Sequence, residues 1–200
     1  MSIDAEHTKK LLERVFDRAK DSPEDWGTMA WTLRTAAEVL LEAHAETWGD
    51  PDDAPEKPEN ERLNGPASMM FGAAMENMIK GYLIKKHSGF EAARKVNQIA
   101  WDRHQLLRLA EATELRLTPD QILLLRSLEY FVVWAGRYPI SMKRDHYTIP
   151  KQFMSGDNMT PTEINGDRIK ILLPFYKELE DDIFADLRKW SSGLENPAQS

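Results

Sequence analysis

Apolar residues recur along this chain at spacings of three and four, and almost nowhere at spacing two, so the pattern predicts helices throughout. Leu11, Leu12, Val15, Phe16 and Ala19 mark one face of a first helix over residues 8–20. Ser22-Pro23-Glu24-Asp25 then has the grammar of a helix start, with a capping Ser and Pro at the first helical position. The helix it opens turns Leu33, Ala36, Ala37, Leu40 and Leu41 inward and runs to about Trp48. Residues 49–66 hold four prolines and many charges and predict a mobile surface loop. Next comes the most apolar helix. Met70, Ala74, Met78 and Tyr82 form one stripe, with Phe71, Met75 and Ile79 beside it, so it belongs at the centre of a bundle or at a subunit interface.

Residues 88–102 predict a short helix with loops, and residues 104–115 a short amphipathic helix. Thr118-Pro119-Asp120-Gln121 is a second strong start signal, launching a helix that must stop near Tyr138 because Pro139 follows. Thr160-Pro161-Thr162-Glu163 repeats the grammar before a last helix, broken or kinked at Pro174 and ending near Trp190. The expected fold is all-α, an up-and-down bundle of four to five main helices. Residues 1–21 form an N-terminal helical extension, 22–192 the bundle, and 193–200 a disordered tail.

Composition narrows the chemistry. The net charge of −7 argues against broad binding of duplex nucleic acid, which needs a dense basic field. There are no cysteines, so disulfides, thiolate zinc sites and thiol catalysis are excluded. The five histidines form no metal-binding spacing, no glycine-rich phosphate loop is present, and neither a metal nor a cofactor is expected. The charged N-terminus is unlike a secretory signal and no apolar run could span a bilayer, which predicts a cytoplasmic protein away from membranes.

Against the acidic background, Arg137, Lys143, Arg144, His146 and Lys151 gather within 15 residues, with Tyr138 and Tyr147 able to stack a base. The bland reading of Arg137 is a cation complementing a helix C-terminus, and that of the others a solvated loop. Glu76 and Lys80 stand one turn apart in the favourable order for an ion pair, with Glu129 a further acceptor for a polar network around Arg137. His104, opening a helix, reads as a local cap or packing residue.

The order of these motifs resembles a known family. Ala74-Met75-Glu76-Asn77-Met78-Ile79-Lys80 has the form A-x-E-x-x-x-K. It is followed by His104, Leu106 and Leu109, then by a helix ending in Tyr130, Arg137, Tyr138 and Pro139. Together they resemble the HEPN (higher eukaryotes and prokaryotes nucleotide-binding) helical bundles over roughly residues 25–190. The resemblance implies a homodimer that binds a nucleotide or RNA. It also implies a possible nucleotidyltransferase-like or antitoxin partner in a stress, toxin–antitoxin or anti-phage system.

The nuclease branch carries Arg, four to six residues, then His, but Arg137 and His146 are separated by eight. Three readings therefore compete. The first is a binding module using Arg137, Tyr138, Lys143, Arg144 and Tyr147. The second is a metal-independent endoribonuclease using Arg137 and His146 as catalytic pair. The third is a non-catalytic interaction bundle.

Overall fold

A computed structural model describes residues 5–45, 64–132 and 166–186. Among these the chain is all-helical and folds up and down, with eight helices rather than the four to five expected. They are α1 (Ala5–Asp21), α2 (Pro23–Ala45), α3 (Asn64–Lys86), α4 (Phe90–Val96), α5 (Gln98–Asp102), α6 (Leu106–Ala112), α7 (Pro119–Tyr130) and α8 (Gly166–Ile183).

The surplus arises mainly between α3 and α7, where helical stretches end on residues in the left-handed region. Ser88 (φ 59°), His104 (φ 56°) and Glu114 (φ 64°) close α3, α5 and α6 in turn. Glycine normally takes that position, and a side chain there costs about 1–2 kcal/mol. Asn97 separates α4 from α5 and caps the latter, its Oδ1 accepting from Ala100 N at 3.2 Å.

Two of the capping signals read from sequence form as expected, while the third, Thr160-Pro161-Thr162-Glu163, lies outside the described residues. Ser22 Oγ accepts from Asp25 N at 3.2 Å. Thr118 Oγ1 accepts from Gln121 N at 3.2 Å while Thr118 N donates to Gln121 Oε1 at 2.9 Å, a reciprocal box that satisfies two otherwise orphaned donors. Two boundaries differ from expectation. Asn64, Gly65 and Pro66 belong to the first turn of α3 rather than to the charged loop. α8 is not broken at Pro174 but runs through it to Ile183; Pro174 lies on the exposed side, where water can serve the carbonyl it leaves free. Beyond Tyr130, Phe131 and Val132 widen into a π turn, a buried end on which α7 leaves the described residues.

α3 is the axis of the fold. It packs most extensively on α2, and α8, α6, α4 and α7 close around its other sides. Phe71, Ala74, Met75, Met78, Ile79, Leu83 and Ile84 are all buried, which accounts for a helix apolar around most of its circumference. Leu106 and Leu109 of α6, Leu125 and Leu128 of α7, and Leu172, Tyr176, Leu179 and Ile183 of α8 complete the core. No described helix is long and apolar enough to cross a membrane.

The unburied apolar surface lies elsewhere. Leu12, Val15 and Phe16 of α1 stand open, Phe16 at 67% exposure, as do Met29, Trp31 and Val39 of α2. α1 is held mainly by α2 and by Asp21, whose Oδ1 accepts from Phe90 N at 2.7 Å.

Candidate functional site: a buried ionic network ending in an imidazole

Arg137, Tyr138, Lys143, Arg144, His146 and Tyr147 lie outside the described residues. Glu76, Lys80 and Glu129 lie within them, and the first two form the polar centre of the bundle. One turn apart on α3, they face the same way. Lys80 Nζ donates to Glu76 Oε1 at 2.5 Å, and both residues are almost sealed, at 6% and 7% exposure.

Lys80 has three donors to satisfy. One goes to Glu76 and a second to Trp101 O at 3.3 Å, while the ammonium sits 5.0 Å from the Trp101 ring centre and 5.9 Å from that of Trp26. These rings supply the negative faces that a cation prefers. They are braced by Phe90, edge-on to Trp101 at 5.5 Å and stacked near Trp26 at 6.3 Å. A charge buried here is matched on each side, which is the condition for tolerating it.

The sequence gives little warning of the third member. His104 Nδ1 lies 2.9 Å from both oxygens of Glu76. The carboxylate already accepts from Lys80, and Nδ1 is accordingly assigned as carrying the hydrogen and donating to it. Rather than capping α6, His104 follows α5 in the left-handed conformation, where Gln105 N donates back to Ala100 O at 3.0 Å. That i→i−5 bond is the signature of a helix closed by a left-handed residue. The same turn brings both the Trp101 carbonyl and the His104 ring onto α3. The His104 side chain as a whole is 42% exposed.

Glu129 of α7 reaches the neighbouring turn. Its Oε2 accepts from Leu107 N at 3.5 Å, so the start of α6 is occupied by this carboxylate. Burial holds its carboxyl above the usual range, against the opposing pull of the Leu107 amide, Arg108 and Arg126. On the outer surface, Arg94 grips Asp102 through Nε at 3.0 Å and Nη2 at 2.9 Å, and this hydrogen-bonded pair holds the Asp102 carboxyl below its ordinary range. Arg103 and Arg108 are exposed and form no ion pair with a described residue.

The network can therefore do two things chemically. Internally it fixes a charge pair against two tryptophans. Externally it presents an imidazole whose tautomer and orientation are set from behind by a carboxylate, the arrangement that makes the second ring nitrogen available to a ligand or a proton. Among the described residues no three His, Asp or Glu side chains converge to hold a metal ion. No protein-family model, curated protein or solved structure matches the chain.

Proposed function

We propose that this chain is a HEPN-like module that binds a nucleotide or single-stranded RNA through its phosphates, acting as a homodimer in a stress, toxin–antitoxin or anti-phage type system. What supports the reading is one observation. The Glu and Lys of the A-x-E-x-x-x-K helix are buried as an ion pair at the axis of an all-helical bundle, with His104 joined to them. Such a pair contributes little to stability over a well-packed apolar pair, so its presence fits a helix whose orientation serves a site. α7 supplies Leu128 to the same core and leads within five residues of Val132 to Arg137.

In this reading Arg137, Lys143 and Arg144 receive phosphate, and Tyr138 and Tyr147 stack a base. Fluorescence anisotropy with a labelled 12-nucleotide oligouridylate tests it. Arg137→Ala should weaken binding about tenfold or more, the loss of a charge-assisted phosphate contact of about 1.5–3 kcal/mol, with helicity and melting unchanged. Binding indifferent to Arg137→Ala would remove this surface from the reading. Metal-free cleavage of the oligonucleotide, abolished by Arg137→Ala or His146→Ala, would replace it with the endoribonuclease.

A different observation favours an interface, whether with a second copy or with an antitoxin-like partner. Among the described residues most of the exposed large apolar side chains are on α1 and α2, around Phe16, Val15 and Trp31, with Val96, Ile99, Leu123 and Ile171 exposed singly elsewhere, while the Met-rich α3 is wrapped within its own bundle. A two-fold contact would thus use α1 rather than α3. Light scattering should give twice the chain mass at micromolar concentration, and Phe16→Glu should return the monomer. A wild-type monomer would leave this face to a different protein.

A further inference from the structure

α1 leaves the bundle at a corner held by several hydrogen bonds. Only Ser22 separates it from α2. Trp26 Nε1 donates to Lys20 O at 3.0 Å, Ser22 N to Ala19 O at 3.2 Å, and Phe90 N to Asp21 Oδ1 at 2.7 Å. Before that corner, Lys9, Lys10 and every side chain from Leu12 to Arg18 are exposed. Residues 12–18 make about two turns, so every side of this stretch is open. Yet Leu12, Val15 and Phe16 share one side of it. A helix of this length is stabilised by burying such a face more than by propensity.

α2 offers a surface of matching kind. Thr28, Thr32, Thr35 and Val39 recur at spacings of four, three and four, with Met29 and Trp31 beside them, and all six are exposed. Between Asp25 and Glu38 the one charged residue is Arg34, which is half-buried and turned to Glu38 Oε1 at 2.8 Å and to the Tyr176 ring at 5.0 Å. Thr32 Oγ1 donates to Thr28 O and Thr35 Oγ1 to Trp31 O, both at 3.0 Å. Those two hydroxyls are satisfied within their own helix, so covering the face strands neither of them.

Charge distinguishes the occupants. Over residues 9–21, Lys9, Lys10, Arg14, Arg18 and Lys20 outnumber Glu13, Asp17 and Asp21, whereas on α2 Glu24, Asp25, Glu38 and Glu42 outnumber Arg34. Pairing α1 with another α1 sets like excess against like and leaves Met29, Trp31 and Val39 open. Laying α1 on the α2 of a second copy sets opposite excess together and covers both faces, twice over in a two-fold pair. A lipid surface suits a helix whose polar side is dominated by Lys and Arg, a pattern that Glu13 and Asp17 interrupt.

We infer that two copies of this chain exchange α1, each laying Leu12, Val15 and Phe16 on the 28–39 face of the other's α2. The inference rests on the homodimer of the proposed function and says how it is built.

Two experiments on the full chain test this. The chain has no cysteine, so Val15→Cys and Thr35→Cys each introduce a single thiol, at positions already exposed. Mixed in equal amounts, the two variants should be joined into covalent dimers by a short bismaleimide, while neither variant alone should be. In the second experiment, analytical ultracentrifugation follows Trp31→Glu, which should raise the dimer dissociation constant about thirtyfold or more, as expected for a central aromatic anchor, with helicity unchanged. Lys9→Glu with Lys10→Glu should weaken the dimer about tenfold, and more at low salt than at high. A dimer whose mixed variants do not cross-link, or one indifferent to Trp31→Glu, overturns the exchange and leaves the homodimer standing. Val15→Cys chains joined to one another assign the contact to paired α1 helices and likewise overturn it. A wild-type monomer at micromolar concentration removes the homodimer and the exchange together, while nucleic-acid binding is decided separately by Arg137→Ala.

Discussion

Removing Glu76 should expose how much of this fold depends on matching one buried charge. In Glu76→Ala, Lys80 keeps its hydrogen bond to Trp101 O and its position against two indole rings but loses the one carboxylate it pairs with among the described residues. Stranding one partner of a buried pair costs about 3–5 kcal/mol. There is a ceiling, because an ordinary lysine ammonium can be neutralised at pH 7 for about 5 kcal/mol. The retained indole contacts, worth about 0.5–2 kcal/mol, place the loss toward the lower end, about 3 kcal/mol. For a chain of this size that is a fall in melting temperature of about 6–12 °C. Urea unfolding followed by helical circular dichroism measures it. The companion variant, Glu76→Leu with Lys80→Met, removes both charges at similar volume and should recover most of the loss, to within about 1 kcal/mol of wild type or beyond it. If Glu76→Ala costs less than about 1 kcal/mol, or the double variant is no better than the single, the pair is not the matched unit argued here.

Two further outcomes follow from the packing and electrostatics. A Cβ at Gly72 would meet Val132 Cγ2 at 2.4 Å and Leu128 O at 3.3 Å, so Gly72→Ala should push α7 from α3. It should cost about 1–2 kcal/mol after the gain in helix propensity, whereas Gly65→Ala, facing open space, should be neutral or stabilising in the same urea assay. Burial raises the folded-state affinity of Glu129 for its proton, so its contribution is most favourable at acid pH and is lost as pH rises through the folded value. Glu129→Gln, which can still accept from Leu107 N, should therefore raise the unfolding midpoint at pH 7, with the gain shrinking toward pH 4. A gain that persists unchanged at pH 4 would refute the assignment.

What the sequence disclosed depends on whether a signal is local. Thr118 and Gln121, or Ser22 and Pro23, carry their partners within three residues, and the caps they predict are present. The centrality of α3 was readable because apolar residues cover it on more than one face. The division of residues 88–115 was not, since Ser88, His104 and Glu114 stop helices in a conformation that none of them advertises. Pro174 was readable as a break or a kink, and the helix does not break there: the proline removes one ladder hydrogen bond, but on the exposed side water can serve the carbonyl it frees. Glu76 and Lys80 were visible as an i, i+4 pair. The joining of His104 to Glu76 spans 28 residues and depends on the left-handed turn after α5, so no spacing rule could reveal it.

The ionic network also bears on why the bundle adopts one packing. A helix as uniformly apolar as α3 offers several faces that could turn toward its neighbours with similar burial. One charged face removes that freedom, because Glu76 and Lys80 have matching partners only against Trp101, Trp26 and His104. On this hypothesis the pair contributes orientation more than stability, and the two can be separated. The Glu76→Leu, Lys80→Met variant should melt near the wild type yet lose the Nδ1 partner that fixes the His104 ring. Its His104 ring signals in NMR should then shift from their wild-type positions, because no carboxylate holds Nδ1. A double variant that melts normally and leaves the His104 signals in place would show that neither the rotation of α3 nor the orientation of His104 depends on these charges.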